Sequence, residues 1–116
     1  MNRTITRDEL HHKLLSTTRP IVVEALPQKY YDDKHLPGAL NLPHDQVDAL
    51  APELLPDKHA QIVVYCANRQ CQNSHIAAHR LAVLGYTDIA VYPGGKQEWD
   101  EAGLPFEFAA EPAVAA

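Results

Sequence analysis

The sequence lacks the features that would place it in several large classes of proteins. None of its apolar runs approaches the roughly 18 residues that a membrane-spanning helix needs, and Met1–Ser16 contains no apolar segment typical of a secretory signal. Its only two cysteines are five positions apart, which does not suit the framework of a disulfide-rich secreted domain. Its formal net charge of −5 argues against nucleic acid as the main partner. We therefore expect a cytoplasmic protein in a reducing compartment, with no nucleic-acid or membrane partner.

The composition is that of a single globular domain. The chain has 116 residues, of which 46% are apolar and 22% are charged, and this is enough for one hydrophobic core. It contains no internal repeat and no linker-like stretch. Because the alanine-rich end has no pattern of its own, we assign residues 1–105 to the domain and predict that residues 106–116 form a flexible C-terminal tail.

Hydrophobic periodicity predicts helices that alternate with strands. Thr6 and Glu9 form the capping-box pattern of the first helix, and Gly85 is expected to end the longest one. Pro52 should break or kink the helix that contains it. The predicted strands cover residues 21–26, 62–66 and 89–92, with a short strand at the end of 35–43; the predicted helices cover residues 7–15, 44–55 and 74–84, with a short helix around Trp99; residues 27–34 are predicted to be a polar loop.

This alternation predicts the fold class and the position of a site. Strands that alternate with helices indicate an α/β fold, with a central, mostly parallel sheet and helices on both faces. Ligands of such sheets bind beyond the carboxyl ends of the strands. Cys66 follows the apolar run 62–65 and ends the segment 62–66, which we predict to be the central strand. The cysteine is therefore expected where a site would lie.

Two other polar residues interrupt apolar segments. Glu24 lies within the apolar run 21–26, where we favour a carboxylate that caps loop N–H groups over a catalytic group. His35 begins the segment His35–Pro43, and we expect it to make a structural hydrogen bond. Neither residue is therefore included in the predicted site.

Cys66 also begins a polar loop that leads into a helix. The thiolate is the reactive form of cysteine, and loop N–H groups and a helix N-terminus, capped by Asn73 or Ser74, would favour it. The span 58–87 contains three lysine or arginine residues and no Asp or Glu, which would favour a small anionic substrate. From these residues alone, an unreactive buried cysteine remains the alternative. The predicted substrate-binding loop consists of Ala67, Asn68, Arg69, Gln70, Cys71, Gln72 and Asn73.

Several segments carry motifs that are more specific than periodicity. They are His35–Pro43, Val63–Cys66, Ser74–Leu81 followed by Gly85-Tyr86, and Tyr92–Trp99 followed by residues 102–105. Together they resemble the single-domain rhodanese-like family of sulfurtransferases, over most of residues 5–105. The sequence departs from the common family pattern in two places: the loop after Cys66 is two residues longer and contains Cys71, and Glu24-Ala25-Leu26 replaces an Asp-x-Arg.

The resemblance implies a rhodanese-like fold and a mechanism. Cys66 would be the catalytic nucleophile that attacks the outer sulfur of a donor such as thiosulfate and becomes a persulfide. A thiophilic acceptor, which is cyanide or a thiol, including a thiol of a protein, would then take the sulfane sulfur. Backbone N–H groups of the loop would hold the negative charge. No metal and no cofactor is implied.

Other functions use the same residue types. A phosphatase or arsenate reductase loop needs arginine six positions after Cys66, where Gln72 stands. In a thiol–disulfide protein Cys71 would resolve a persulfide or sulfenate on Cys66, although Cys71 could equally fill space in the loop. The set formed by the two cysteines with His75 and His79 lacks zinc-finger spacing. A non-catalytic rhodanese-like binding module usually lacks the cysteine that this chain keeps.

Overall fold

The computed structural model of the protein describes residues 3–108, in which five strands alternate with five helices. The α/β class that the periodicity predicts is therefore confirmed. The strands are β1 (Arg3–Thr4), β2 (Ile21–Glu24), β3 (Leu40–Asn41), β4 (Ile62–Tyr65) and β5 (Ile89–Tyr92); the helices are α1 (Arg7–Leu14), α2 (Gln28–Asp33), α3 (Val47–Leu54), α4 (Asn73–Val83) and α5 (Gly95–Glu101). No helix within residues 3–108 combines the length and the apolar character that crossing a membrane requires.

The sheet is parallel throughout its five strands, in the order β1-β5-β4-β2-β3. β4 is the central strand, and all four of its residues are buried because helices cover both faces of the sheet. The chain passes from β2 to β3 on one side and returns to β4 on the other, so the strand order reverses between β2 and β4. Glu24 and Tyr65, the last residues of these two strands, lie side by side in register there.

A hydrophobic cluster fills the space on each face of the sheet. Because successive residues of a strand point to opposite faces, Val22 and Val63 lie in one cluster while Val23 and Val64 lie in the other. The first cluster is covered by α1 and α5, and the second by α3 and α4. Each fully buried valine side chain stabilises the fold by about 2 kcal/mol before the entropy of ordering it is subtracted.

Most predicted helix ends are confirmed, and one is corrected. The Thr6 hydroxyl accepts from the Glu9 N–H while the Glu9 carboxylate accepts from the Thr6 N–H, as the capping box requires. Gly85 ends α4 with a φ of 100°, a conformation that suits glycine. The N-cap of α4 is Gln72 rather than Asn73 or Ser74. Ser74 lies inside the helix and its hydroxyl contacts the sulfur of Cys66, so it does not cap.

One prediction along the chain is wrong, one is wrong in part, and one strand was not predicted. The polar segment 27–34 contains the short helix α2 rather than a loop, and Tyr31 of α2 packs against the cluster under α1 and α5. Pro52 does not break α3, which continues past it to Leu54 because Val47 and Ala51 are buried against the core, so of the predicted break or kink only the kink stays a prediction. The edge strand β1 was not predicted, since its two exposed polar residues have no apolar pattern.

The predicted tail is attached to the domain at its beginning. Glu107 and His35 exchange two backbone hydrogen bonds of 2.8 Å, and the Glu107 carboxylate accepts from the Gly38 N–H at 2.9 Å. Phe106 packs against the hydrophobic cluster under α1 and α5. Residues 106 and 107 thus contact the domain, the flexibility of the tail stays a prediction, and residues 109–116 lie outside the described range. His35 also bonds the Tyr31 carbonyl at 2.9 Å, which confirms its structural hydrogen bond.

Candidate active site

Cys66 directly follows the central strand, beside the reversal of strand order. It is 2% exposed. Its sulfur lies 3.4 Å from each of two oxygens to which its one proton can be donated, the backbone carbonyl of Cys71 and the hydroxyl of Ser74. The predicted position of the cysteine at the carboxyl end of β4 is confirmed, and the thiol lies between the loop and the first turn of α4.

The loop is closed by its own asparagine. The Asn68 side-chain oxygen accepts from the N–H groups of Gln70 and Cys71, each at 3.1 Å. The Cys71 N–H also reaches the Asn68 carbonyl at 3.2 Å. These two N–H groups are therefore used inside the loop, so in this conformation they are not part of the predicted anion cradle around Cys66. Within the predicted loop Arg69, Gln70 and Gln72 are exposed, whereas Ala67, Asn68, Cys71 and Asn73 are half-buried.

The surroundings of Cys66 favour the neutral thiol. The pKa of this thiol is raised to about 11, first by burial and then by the Cys71 side chain, against the lowering effect of the Ser74 hydroxyl and N–H. A helix N-terminus next to the sulfur was expected to favour the thiolate. In this closed conformation removal from water outweighs that contribution. The thiolate forms more readily if the loop opens.

The basic residues of the span 58–87 do not converge on Cys66. Arg69 forms an ion pair with Glu98 of α5. Arg80 binds both carboxylate oxygens of Asp48 at 2.6 Å. Lys58 precedes β4, at the opposite end of the strand from Cys66, and donates to the Leu84 carbonyl at 2.8 Å. Two of the three basic residues of this window are therefore paired with acidic residues from other segments, and the third lies at the far end of the strand.

The first turn of α5 holds the base of the loop. The Lys96 N–H donates to the Cys66 carbonyl at 3.0 Å, and the Gln97 N–H donates to the Ala67 carbonyl at 2.9 Å. Gly95 has a φ of 65°, and a Cβ at this position would lie 2.5 Å from the Cys66 carbonyl oxygen. Only glycine permits this approach of two backbones.

A buried polar group lies under the loop, and most of it was missed in the sequence. The Tyr65 hydroxyl donates to Glu24 at 2.6 Å and accepts from the Leu36 N–H at 3.1 Å. The Lys96 ammonium lies 2.9 Å from the second oxygen of Glu24 and donates to the Tyr30 carbonyl at 2.7 Å. Glu24 is fully buried, and this burial raises its pKa although Tyr65 and Lys96 both lower it.

The prediction that Glu24 caps loop N–H groups is therefore wrong. Its side chain binds a hydroxyl and an ammonium group instead. One signal could have identified the partner: a carboxylate inside a buried strand requires a cation, and Lys96 lies in the motif Tyr92–Trp99. Lys96 supplies that positive charge from α5, and its backbone N–H also donates to the Cys66 carbonyl.

Access to the sulfur of Cys66 is limited in this conformation. A cavity of about 620 Å³ lies at the amino ends of the strands, where His12, Arg19 and His59 are among the residues that line it, and Cys66 does not border it. Because Cys66 is buried, a substrate can reach it only when the loop opens.

Both cysteines are free thiols. Across residues 3–108 no three His, Cys, Asp or Glu side chains are grouped in a way that could hold a metal ion.

The fold and site define a doubly wound α/β domain with a buried cysteine at the switch point of its sheet. Residues 6–102 match the Rhodanese-like domain family, and the chain belongs to this family. The resemblance noted in the sequence is thereby confirmed.

Two curated relatives are much longer proteins. The chain is 31% identical over 103 residues to an HTH-type transcriptional regulator of Mycobacterium tuberculosis, covering 89% of this chain and 44% of that protein. It is 27% identical over 85 residues to an adenylyltransferase and sulfurtransferase of Candida albicans, covering 70% of this chain and 19% of that protein. The chain thus spans less than half the length of either relative.

Solved structures share the fold. A thiosulfate sulfurtransferase from Pseudomonas aeruginosa superposes with a TM-score of 0.81 at 24% identity, over 93% of this chain and 20% of that one. A human single-domain sulfurtransferase superposes with a TM-score of 0.75 at 22% identity, over 87% of this chain and 97% of that one. At this level of identity the similarity concerns the fold.

Proposed function

We propose that the domain is a sulfurtransferase in which Cys66 carries sulfane sulfur from a small anionic donor, such as thiosulfate, to a thiophilic acceptor. The acceptor is cyanide or a thiol, including a protein thiol. The main support is the position of the Cys66 thiol at the carboxyl end of the central strand, 3.4 Å from the hydroxyl of Ser74 in the first turn of α4. Membership of the rhodanese-like family agrees with this function.

The first half-reaction begins with deprotonation of the Cys66 thiol. The thiolate attacks the outer sulfur of thiosulfate, a new S–S bond forms, and the bond to the sulfonate sulfur breaks, so that sulfite leaves with the electron pair. Ser74 contributes a hydroxyl and an N–H next to the sulfur. In the second half-reaction the acceptor attacks the outer sulfur of the persulfide and Cys66 leaves as a thiolate.

The loop must rearrange for this chemistry. In the closed form the carbonyl of Cys71 accepts from the Cys66 thiol. Once the sulfur is anionic, it has no proton to donate and repels this carbonyl oxygen. Rotation of the loop would then turn N–H groups towards the persulfide, and residues 67–73 would form the predicted binding loop. Arg69 would exchange Glu98 for the charge of the donor.

The test measures sulfite, which accompanies persulfide formation whatever follows it. Reduced protein is mixed with thiosulfate in the absence of oxygen, and sulfite is quantified while intact mass is recorded after rapid alkylation. We expect up to one sulfite per chain and early gain of one sulfur atom. Trypsin cleaves after Arg69, which separates Cys66 from Cys71, so that the modified residue can be assigned directly.

Cys66→Ser is the control. Serine can make the same two hydrogen bonds as the thiol, so the fold should be retained, which a urea unfolding curve verifies. We expect this variant to release no sulfite. Full sulfite release by Cys66→Ser would disprove the proposed role of Cys66. If thiosulfate leaves the folded wild-type protein unmodified and releases no sulfite, the domain is a binding module instead.

A further inference from the structure

The second cysteine of the loop lies next to the first. The Cys71 N–H is held by Asn68 and its carbonyl oxygen lies 3.4 Å from the Cys66 sulfur. Covalent bond lengths then place the Cα of Cys71 within about 6 Å of that sulfur. A disulfide would require the side chain of Cys71 to turn to the position near the sulfur that its carbonyl oxygen now occupies.

Cys71 is also more exposed than Cys66. Cys66 is 2% exposed, whereas Cys71 is half-buried between the exposed residues Gln70 and Gln72. An acceptor that approaches from the solvent therefore meets a loop in which Cys71 is the more accessible of the two cysteines.

We propose that Cys71 is a catalytic residue that resolves the Cys66 persulfide, so that the domain releases hydrosulfide and forms an internal disulfide. The role of Cys71 rests on the persulfide chemistry proposed for Cys66. Because this role leaves the protein with an internal disulfide, a dithiol is the class of reductant that restores the enzyme. The longer loop provides the residues that carry this second thiol.

The step is balanced in atoms and electrons. The Cys71 thiolate attacks the inner sulfur, the Sγ atom of Cys66, and forms the Cys66–Cys71 bond. The bond between Sγ and the outer sulfur breaks, and the outer sulfur leaves with the electron pair and takes up the proton that the Cys71 thiol lost, so that it is released as hydrosulfide. Two thiol sulfurs are oxidised to a disulfide while the sulfane sulfur is reduced to sulfide. A dithiol then reduces the disulfide by thiol–disulfide exchange.

The closed conformation prepares this step. The carbonyl of Cys71 is held at the sulfur only while Cys66 carries a proton to donate. Persulfide formation removes that hydrogen bond. Residue 71 can then rotate so that its side chain, rather than its carbonyl, faces the sulfur of Cys66. Because both thiols belong to one loop, the reaction is intramolecular and should be faster than attack by a dilute external thiol.

The experiment compares wild type with Cys71→Ser in a single turnover. Each reduced protein is mixed with thiosulfate without oxygen or added thiol, and sulfite and sulfide are both measured. We expect wild type to release both products and to yield tryptic peptides 59–69 and 70–80 joined by a disulfide. Cys71→Ser should release sulfite, keep the persulfide on Cys66, and release sulfide slower by at least about a hundredfold. Added dithiothreitol should restore sulfide release in this variant, which shows that its persulfide is intact.

Each other outcome overturns the role of Cys71. If wild type keeps a stable persulfide and releases no more sulfide than Cys71→Ser, Cys71 does not resolve it, although the function of Cys66 stands. If neither protein releases sulfite, the proposed function fails, and the resolving step fails with it. A disulfide that forms at a rate proportional to protein concentration would point to attack between molecules.

Discussion

Gly95 provides a sensitive test of how α5 holds the Cys66 loop. A Cβ at this position would lie 2.5 Å from the carbonyl oxygen of Cys66, 2.7 Å from the carbonyl carbon of Ala67 and 2.8 Å from the backbone nitrogen of Asn68. All three atoms belong to the backbone, so no side chain can rotate away. Gly95→Ala must therefore separate the helix from the loop.

The free energy of unfolding that Gly95→Ala is expected to lose has two parts. The positive φ of 65° costs a non-glycine residue about 1–2 kcal/mol. Separation of the helix from the loop threatens the hydrogen bonds that the Lys96 and Gln97 N–H groups donate, each of which contributes about 1 kcal/mol. We expect Gly95→Ala to lower the free energy of unfolding by about 3–4 kcal/mol.

Gly103 is a matched control for the backbone conformation. Its φ is 70°, and no other atom lies within 4 Å of the position where a Cβ would be placed. Gly103→Ala should therefore cost only the conformational part, about 1–2 kcal/mol. The difference between the two variants measures the close approach of α5 to the loop.

Two assays read the outcome. Urea unfolding gives the free-energy difference, and sulfite release from thiosulfate gives the rate at Cys66. Because small displacements of a reacting group can cost up to about a hundredfold in rate, Gly95→Ala should react at least about tenfold more slowly than wild type, whereas Gly103→Ala should not. Equal losses of stability in the two variants, with equal rates, would refute the reasoning that α5 positions the loop.

Three further predictions concern charge and the chain end. Lys96→Met leaves Glu24 buried without a cation and should cost about 3–5 kcal/mol at neutral pH. The reference for the pH dependence is the double variant Glu24→Gln/Lys96→Met, which has no carboxylate at residue 24. Because the folded-state pKa of Glu24 is raised above 4.5, the stability lost in Lys96→Met relative to this reference should vanish below pH 4.5 and grow as the pH rises through the folded-state pKa. A difference in urea unfolding that does not depend on pH would contradict this. Sulfite release should rise about tenfold per pH unit through neutrality, since the Cys66 pKa is raised to about 11; a plateau below about pH 8 would show a more acidic thiol. A chain ending at residue 105 should be less stable than one ending at residue 108 by about 1–3 kcal/mol, as measured by urea unfolding, because Phe106 packs on the core and Glu107 pairs with His35; equal stability would contradict this.

Local patterns predicted most of the fold. The run Ile62–Tyr65 is uninterrupted because the strand is buried on both faces, and that property can be read from adjacent residues. The capping pair Thr6 and Glu9 is separated by only three positions, so it also appears in the sequence. The helix α2 could not be predicted in this way, because its half-buried Tyr31 is held by distant parts of the chain.

The electrostatics of the site required the tertiary structure. Glu24 and Lys96 are 72 positions apart in sequence, yet their charged atoms lie 2.9 Å apart. The basic window around Cys66 is balanced by Glu98 and Asp48, which lie outside it. The basic residues of this window predicted a positive electrostatic field around Cys66 that the folded domain does not provide. Coulomb energies depend on distance and burial rather than on position along the chain.

The sequence by itself determined that this chain alternates strands and helices and that Cys66 ends the central strand, because periodicity and strand ends are properties of neighbouring residues. It also determined the family, through motifs that each lie within a few positions. The tertiary structure decided that the thiol is neutral, that Asn68 closes the loop, and that α5 supports the backbone of Cys66. These features arise where separate segments meet, and removal from water then outweighs the local charges.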